Sequence, residues 1–491
     1  MTDRFSIALA QINPVPGDVA GNIALIRAAW TRAAEGGAGL LVCPASAMTG
    51  VPLADPALWP FGLEEVEAAV EALAAGTAGG PALLVGAPWR REGRLHDAAL
   101  LLDGGRVAAA RFRVGVSGAE PFAAGPVSGP MSLRGLRVGV AVGGDLDRAD
   151  VIETLAETGA EILIVPGDSP FTAGGPDRRL QAAVRRVTET GLPLVHVNAA
   201  GGQGERVYDG ASFALRADRS LAAQAPSFRE HLAFTRWERR EDEFWTCLDA
   251  ETHAPPEGPE AVWRTLVLGL RDHVTKNGFS GALIHLSGGL GPALAAAVAA
   301  DALGPEGLWG VAMPGPGSVP DGQAAETARL LGCRFDAVPL DPVADAIAAM
   351  LFPLAPGGTG IADLSRLRGA ALSSLAASSS AGRPGPMLLA GFDGTDLSEG
   401  AAGLKADLCA DYAVLKDISR TQALALARWR NGGRPAGLLG PAGPAVPVAL
   451  LAGGAGAGPE SGPAPAEARH RLRRLAALRR GAPPGPMIAG D

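Results

Sequence analysis

The stretch His285–Ala293 reads HLSGGLGPA and lies between a predicted strand and a predicted helix. The run Gly281–Leu286 before it is apolar enough for a buried strand, and Ala293–Leu303 after it has a helix-forming composition. Glycines at such a junction are typical of a loop that binds phosphate, because the helix N-terminus that follows favours negative charge. The loop nevertheless carries Gly291 and Pro292, where a nucleotide-binding loop would carry polar groups.

Strand and helix patterns alternate on both sides of this loop. Before it, the sequence predicts strands at 5–10, 40–43, 81–87, 97–102, 136–142, 161–166, 194–198, 208–215 and 220–224, and helices at 18–35, 149–158 and 178–190. From residue 261 onward, it predicts helices at 261–276, 293–303, 322–331 and 421–430, and strands at 281–286, 308–313 and 334–338. Such alternation is typical of layered α/β domains.

The length of 491 residues allows more than one domain. We interpret residues 1–250 as a layered α/β domain, 251–260 as a linker and 261–432 as a second domain with a doubly wound parallel sheet. Residues 433–465 are rich in Gly, Pro and Ala and are predicted to form another linker. A basic helix and tail are predicted for residues 466–491.

Composition excludes several classes of protein. The net charge of −8 provides no basic field for nucleic acid. The four cysteines are far apart, which argues against a zinc ribbon and a disulfide scaffold. Prolines interrupt the longest uncharged run, Pro435–Pro459, so we expect a linker there and not a membrane span. The N-terminal residues do not resemble a signal peptide, and we therefore expect a cytoplasmic protein that binds neither nucleic acid nor membrane.

Several runs, taken in order, resemble glutamine-dependent NAD(+) synthetases. They include IALAQINPVPGDVAGN, GAEILIVPGDSPF, YDGASF, LVLGLRDHVTKNGF and YAVLKDISRTQALALARWRN. The resemblance implies an N-terminal nitrilase-like α-β-β-α sandwich, followed by a doubly wound parallel-sheet domain that is adenine nucleotide alpha hydrolase-like. It also implies a two-site ligase. A Glu-Lys-Cys trio hydrolyses glutamine in the first domain, and the second uses ATP and Mg²⁺ to adenylate deamido-NAD⁺ before ammonia displaces AMP.

The glutaminase trio is not intact in this sequence. The glutamate position is Ala45, the cysteine position is Gly143, and the nearest candidate for the lysine is Arg113, because the first 275 residues contain no lysine. Asp145 agrees with the family pattern. Cys43 lies in an apolar strand and is interpreted as core filler, not as a nucleophile. We therefore predict no glutaminase activity; a tight turn is the simpler interpretation of the glycine pair that begins at Gly143.

The loop matches the family at its serine and two glycines but lacks the aspartate and the second serine of the family motif. The loop residues Ser287, Gly288 and Gly289 match the family and are the predicted residual nucleotide-binding residues. The family's Mg²⁺-binding aspartate is replaced by Gly291, and the phosphate-binding serine by Pro292, which has no N–H group. Glycine and proline also suit an ordinary helix start, so the substitutions predict weakened binding of ATP and Mg²⁺.

Further family positions lie near the chain's end. In the run AGFDGTD, Gly394 occupies a lysine position, and Asp396 is the candidate metal ligand. Asp407 matches an acidic position near the deamido-NAD⁺ pocket, and Lys416 with Asp417 retains a Lys-Asp pair of the family. These assign Asp407 and Lys416 as candidate substrate-binding residues. A structural or surface ion pair is the alternative role for Lys416.

Four functional hypotheses follow. The first is a catalytically impaired or inactive paralogue that acts as a partner or regulator, either as a homo-oligomer or in a hetero-oligomer with an intact family member. The second is an ammonia-dependent or altered-substrate ligase in which Asp396 and Asp407 hold metal. The third is a non-catalytic sensor of deamido-NAD⁺, NAD⁺ or ATP. The fourth is a decaying duplicate without a role.

Overall fold

The structure, a computed structural model, describes residues 2–51, 59–118, 120–240, 244–315, 321–353, 364–377, 384–399, 409–452 and 483–488. It divides into two compact units. The first unit comprises Met1–Gln203 and Val207–Pro256, and the second comprises Gly204–Arg206 and Glu257–Asp491.

The first unit contains two large β-sheets. Sheet A has seven strands: β1 (Thr2–Gln11), β2 (Leu40–Val42), β3 (Ala82–Arg91), β4 (Arg94–Asp103), β5 (Arg106–Phe112), β14 (His231–Arg240) and β15 (Thr246–Cys247). Sheet B has six: β6 (Met131–Leu133), β7 (Leu136–Val140), β8 (Ile162–Pro166), β9 (Leu194–Val197), β12 (Phe213–Leu215) and β13 (Leu221–Gln224). The strand order is β15-β14-β1-β2-β3-β4-β5 in sheet A and β13-β12-β9-β8-β7-β6 in sheet B, with a separate pair β10 (Ala200–Gln203) and β11 (Arg206–Asp209).

Alternation along the central strands explains why both faces of each sheet are covered. In β1, Ile7 and Leu9 belong to the core shared by the two sheets, whereas Ala8 and Ala10 pack on the side of the helices α1 (Val19–Glu35) and α2 (Leu63–Gly76). In β8, Ile164 faces the shared core, and its neighbours pack with α3 (Ala149–Glu157) and α4 (Gly175–Thr190). The predicted α-β-β-α sandwich is thus confirmed.

The second unit is built on a parallel sheet with the order β18-β17-β16-β19. Its strands are β16 (Ala282–His285), β17 (Leu308–Ala312), β18 (Arg334–Ala337) and β19 (Met387–Leu389). Its helices are α5 (Gly258–Lys276), α6 (Leu290–Leu303), α7 (Gly322–Leu331), α8 (Asp341–Leu351), α9 (Leu364–Ala376), α10 (Gly394–Glu399), α11 (Arg420–Asn431) and α12 (Val448–Leu451). The strand order reverses between β16 and β19, which is where doubly wound sheets bind their ligands.

The part of the Gly/Pro-rich tract that the structure describes is packed, not extended. Asn431 Oδ1 accepts hydrogen bonds from the N–H groups of Ala445 (2.9 Å) and Val446 (3.0 Å), and both of these residues are fully buried. Residues 453–465 of the predicted linker and the predicted basic helix lie outside the described residues. Within the described part of the chain, no helix has both the length and the apolar character needed to cross a membrane.

Candidate functional site

The structure brings Gly143 and Arg113 together in the first unit. Gly143 follows β7 and begins a short 3-10 helix, Gly143–Asp147, with a left-handed φ of 55°. A Cβ atom at Gly143 would lie 3.8 Å from Arg113 Cδ and would meet no other atom within 4 Å. The predicted cysteine and lysine positions are therefore neighbours. No packing fills the space beside Gly143, although its left-handed φ disfavours a side chain.

The charge of Arg113 is compensated by two carboxylates. Its Nε lies 2.9 Å from Asp97 Oδ2, and its Nη2 contacts Glu120 Oε2. Burial raises the pKa of Asp97 to about 6; the Arg113 charge opposes this shift, while Asp168 and Asp145 add to it. Sequence reasoning missed this cluster, because its members lie on separate segments and are joined only by the fold.

Ala45 is buried three residues after the end of β2, and its methyl group cannot accept a proton. Its N–H donates to the Gly167 carbonyl (3.1 Å), and the neighbouring Ser46 Oγ donates to Asp168 Oδ1 (3.1 Å). A Cβ atom at Gly86 would lie 1.8 Å from the carbonyl oxygen of Ala45. The backbone at Ala45 therefore lies directly against Gly86 and is hydrogen-bonded to Gly167.

Asp145, which agrees with the family pattern, has a structural role here. Its Oδ2 accepts the N–H of Val114 (2.9 Å), and its Oδ1 accepts that of Gly115 (2.7 Å). Burial raises the pKa of Asp145, and these two backbone hydrogen bonds act in the opposite direction. The carboxylate thus holds the loop that carries Arg113.

A cavity of about 660 Å³ opens beside Gly143. Its lining consists of residues that follow β7, residues that follow β8, one face of α4 and His196 of β9: Gly143, Gly144, Leu146, Asp147, Gly167, Asp168, Ser169, Pro170, Thr172, Gly175, Arg178, Arg179, Gln181, Ala182, Arg185 and His196. No cysteine or lysine is among these described lining residues. The cavity has the size to hold a small polar molecule, but it offers neither the thiol nor the amine of the family trio.

Two buried groups in this cavity were not predicted. Arg179 forms a bidentate pair with Asp209, with Nη1–Oδ1 3.0 Å and Nη2–Oδ2 2.7 Å. His196 stacks on Phe213 with ring centroids 5.2 Å apart. Burial, with Arg179 nearby, lowers the pKa of His196 to about 3, so its imidazole is neutral at ordinary pH. The strand pattern LVHVN identifies the position of His196 but not its environment.

The cysteines of the first unit are unsuited to nucleophilic chemistry. Cys43 is completely buried, and burial raises its pKa to about 12. Cys247 is also buried, and its pKa is likewise raised to about 12. Since the thiolate is the nucleophile, neither residue is suited to replace the cysteine that the resemblance predicts at position 143.

In the second unit, the loop Ser287–Gly289 connects β16 to α6 as predicted. Gly288 has a φ of 86°, and Gly289 is the N-cap of α6, which begins three residues before its predicted start. A Cβ atom at Gly288 would lie 2.4 Å from Asp321 Cγ. The Asp321 carboxylate therefore lies against the loop, where its negative charge opposes a bound phosphate. It also caps α7 by accepting the N–H of Gln323 (2.7 Å).

Packing closes Gly291 and Pro292, the predicted positions of the metal ligand and the hydroxyl. A Cβ atom at Gly291 would lie 2.3 Å from the carbonyl oxygen of Gly391, and a Cβ atom at Gly391 would lie 2.7 Å from Pro292 Cγ. Gly391 follows β19, so this contact lies between the carboxyl ends of the two strands at which the sheet order reverses. An aspartate at position 291 has no space in this arrangement.

The candidate metal ligand Asp396 is already engaged. Its Oδ2 accepts the N–H of Asp393 (3.1 Å), and its Oδ1 contacts the guanidinium of Arg420. At Gly394, the family's lysine position, a Cβ atom would lie 2.9 Å from the Lys416 carbonyl oxygen. With Gly291 closed and Asp396 paired to a cation, the described residues do not fit the Mg²⁺ that the resemblance implies.

Of the two candidate substrate-binding residues, the structure describes only one. Lys416 is buried and forms an ion pair with Glu205, another residue of the second unit. Asp417 Oδ2 accepts the N–H of Ile488 (2.7 Å). Asp407 lies outside the described residues. Ion pairing places Lys416 in a structural contact, and its predicted role in substrate binding stays a prediction.

Comparisons with known proteins agree with this two-part organisation. Residues 6–239 match the carbon-nitrogen hydrolase family, and residues 262–449 match the NAD synthase family. The chain is 38% identical over 465 residues to the glutamine-dependent NAD(+) synthetase of Rhodobacter capsulatus, an alignment that covers 92% of this chain and 83% of that protein. It is 31% identical over 454 residues to the same-named protein of Xylella fastidiosa strain Temecula1, covering 88% and 81% of the two chains.

Among solved structures, the chain is similar to a glutamine-dependent NAD(+) synthetase from Acinetobacter baumannii in complex with ADP. The TM-score is 0.81 at 24% identity, and the match covers 97% of this chain and 93% of that chain. A synthetase of the same name from Cytophaga hutchinsonii gives a TM-score of 0.70 at 17% identity, over 88% and 82% of the two chains. At these identities the likeness establishes a shared fold.

Proposed function

Because the chain belongs to the family of glutamine-dependent NAD(+) synthetases, we propose that it is a catalytically impaired member that acts as a partner or regulator. The family reaction is the ATP-dependent amidation of deamido-NAD⁺ with ammonia released from glutamine. In this proposal the chain keeps both folded units and performs neither half of that reaction at a useful rate.

The proposal rests on the residues that occupy the three predicted glutaminase positions. Ala45 offers no base, Gly143 offers no nucleophile, and Arg113 is paired with two carboxylates. Loss of a nucleophile alone lowers turnover by about 10⁶-fold in a well-studied hydrolase. The two buried cysteines of the first unit, whose pKa values are raised to about 12, supply no substitute.

Packing at the nucleotide loop supports the same proposal for the second half-reaction. Gly291 is closed by Gly391, and Asp321 places a negative charge beside Gly288. Asp396 is paired with Arg420 and is not available as a metal ligand in this arrangement. Among the described residues, Gly291 and Asp396, the two positions assigned to the metal, are therefore unable to hold Mg²⁺.

The direct test is glutamine turnover by the purified full chain. The synthetase from Rhodobacter capsulatus, assayed in parallel, serves as the active control. We expect glutamate production at the level of buffer, and turnover well above buffer would overturn the first half of the proposal. The partner role is tested by adding this chain to an intact synthetase from the same cell. A changed rate or co-purification supports it, and independent behaviour in both measurements counts against it.

A second candidate is an ammonia-dependent ligase, which the retained frame Ser287–Gly289 favours. Mixing the chain with ATP, Mg²⁺, deamido-NAD⁺ and ammonium separates the two candidates, because formation of AMP and NAD⁺ requires a working second site. Thermal-shift measurements with ATP, NAD⁺, deamido-NAD⁺ and glutamine test the sensor hypothesis in the same samples. A cytoplasmic location and a homo- or hetero-oligomeric state remain part of the proposal.

A further inference from the structure

Three side chains of the first unit converge at an edge of the sandwich, away from the cavity lining. They are His231, Glu251 and His253, and one ligand atom from each lies within 4.8 Å of the others. We propose that these residues bind a divalent transition-metal ion, Zn²⁺ above all, through two imidazole nitrogens and one carboxylate. The proposal is independent of whether the chain is an active synthetase.

The backbone holds two of the ligands on one side of an extended segment. Thr252 forms a parallel bridge with Gln224, the last residue of β13. The Gln224 N–H donates to the Glu251 carbonyl (2.9 Å), and the His253 N–H donates to the Gln224 carbonyl (3.0 Å). Alternate residues of an extended chain point to the same side. Glu251 and His253 therefore present their side chains together.

The third ligand comes from the other sheet. His231 is the first residue of β14 in sheet A, where it lies opposite Gln11 of β1. The segment with Glu251 and His253 extends along β13, an outer strand of sheet B. An ion held by all three side chains would therefore join the two sheets of the sandwich.

The side chains are already oriented toward one another. Glu251 Oε1 contacts His231 Nε2, and Glu251 Oε2 lies 3.4 Å from His253 Nε2. The two imidazole rings are 6.0 Å apart between centroids and are inclined by 76°. Zinc binds imidazole nitrogen and carboxylate oxygen at about 2.0–2.2 Å, so two ligand atoms on one ion lie about 3–3.5 Å apart. The three ligand atoms already lie within 4.8 Å of one another, so small side-chain rotations are enough to bring them to these distances.

Exposure and donor type identify the class of ion. The side chains of His231, Glu251 and His253 are 23%, 42% and 39% exposed, so an ion can enter from solvent, and water can occupy the fourth position. Imidazole donors favour Zn²⁺, Cu²⁺ and Ni²⁺ over Mg²⁺ and Ca²⁺, which prefer sets of oxygen ligands. The simpler alternative is a carboxylate that bridges two imidazoles without metal, and the experiment separates the two.

The test is calorimetric titration of the metal-stripped full chain with ZnCl₂, with MgCl₂ as a comparison. We expect one Zn²⁺ per chain at this site and no comparable binding of Mg²⁺. Glu251→Gln and His253→Gln should each weaken Zn²⁺ binding by at least about tenfold, since loss of even an outer-shell partner costs about 10–100-fold. The matched control is Glu257→Gln, which removes an exposed carboxylate a few residues away and should leave affinity unchanged.

A second measurement uses the unsubstituted protein, so a folding defect in a variant does not obscure the result. The chain has seven histidines, and ¹⁵N-histidine NMR should show Zn²⁺ shifting the ring signals of His231 and His253 in equal proportion. The unfolding temperature should rise with Zn²⁺ in the wild type and in Glu257→Gln, because an ion that binds only the folded state stabilises it. Zn²⁺ affinity that is the same in all four proteins, or ring shifts confined to other histidines, would overturn the proposal.

Discussion

Asp301 and Arg430 form a bidentate ion pair that is completely shielded from solvent in the second unit. Arg430 Nε lies 2.7 Å from Asp301 Oδ2, and Arg430 Nη2 lies 2.9 Å from Asp301 Oδ1. Trp263 Nε1 also donates to Asp301 Oδ2 (2.8 Å). The guanidinium donates further to the carbonyls of Pro441 (2.7 Å) and Gly443 (3.2 Å). The pair therefore connects α6 and α11 with the Gly/Pro-rich tract.

Removal of one partner should be strongly destabilising. In Arg430→Met the Asp301 charge stays buried without its cation, and we expect the free energy of unfolding to fall by about 3–5 kcal/mol. Urea denaturation measures this change. Arg428→Met on the same helix is the matched control, because the Arg428 guanidinium is exposed; a surface substitution should change stability by about 0.5 kcal/mol or less. Equal losses in the two variants would contradict the argument.

Cysteine labelling tests the chemistry assigned to the first unit. At about pH 8, iodoacetamide should leave Cys43 and Cys247 unmodified in the folded protein, because burial raises both pKa values and excludes the reagent. In Gly143→Cys, a new thiol beside Arg113 should react readily without conferring glutamine hydrolysis, since Ala45 still provides no base. Mass spectrometry after proteolysis identifies the labelled positions, with urea-unfolded protein as the control for full reactivity. Rapid labelling of folded Cys43 would be inconsistent with its burial.

Replacement of Gly291 tests whether an aspartate can be accommodated at the predicted Mg²⁺-binding position. Gly291→Asp places a Cβ atom 2.3 Å from the Gly391 carbonyl oxygen, so the backbone must move. We expect a loss of about 1–3 kcal/mol in stability, the usual range for overpacking, and no gain in Mg²⁺-dependent ATP binding. Thermal unfolding and calorimetry measure the two quantities. Gly322→Asp, at a position where an added Cβ meets nothing within 4 Å, is the control for inserting the same side chain. A stable, Mg²⁺-binding Gly291→Asp would show that the contact is easily relieved.

Removal of the Asp321 charge should strengthen the binding of anions at the loop Ser287–Gly289. Asp321→Asn keeps an N-cap side chain for α7 and removes the negative charge beside Gly288. A unit charge a few ångströms away in a solvated site is worth about 1 kcal/mol, so phosphate or ATP should bind about fivefold more tightly. Equilibrium binding at low ionic strength measures the change. Asp336→Asn, at a half-buried residue on β18 whose carboxylate pairs with Arg334, is the control. Identical affinities in the two variants would rule out a local effect of Asp321.

His196 predicts a pH dependence of stability. Its folded pKa of about 3 lies below the value of 6.5 in an unfolded chain. Between these values the unfolded state binds a proton that the folded state does not, so stability is full above pH 6.5 and falls as the pH is lowered. From pH 6.5 to 5 the loss from this group is about 2 kcal/mol. In His196→Gln the difference between pH 7 and 5 should shrink by about that amount, whereas the difference between pH 8 and 7 should stay the same. An unchanged slope would contradict a lowered pKa of His196 in the folded protein.

Local sequence patterns predicted many of the strands and helices of both units but not the packing contacts at the candidate sites. The strand at 282–285 and the helix at 322–331 follow directly from apolar periodicity and flanking glycines. The patterns missed α2, which is rich in alanine and glutamate, and β14, which is rich in arginine. They also missed β19, because a strand of three residues is too short to show a period. Neither the contact of Gly391 with Pro292 nor that of Asp321 with Gly288 has a local signal, since each depends on which strands become neighbours.

Gly143 and Gly291 differ in how much room each leaves for a new side chain. At Gly143 an added Cβ atom meets only Arg113 within 4 Å, so a substitution there is opposed by the left-handed φ of 55° and not by packing. At Gly291 an added Cβ atom meets the carbonyl oxygen of Gly391 at 2.3 Å, so an aspartate there requires the backbone around Gly391 to shift. A new side chain at Gly143 therefore costs local backbone strain alone, whereas one at Gly291 also requires a second, compensating change in the neighbouring chain.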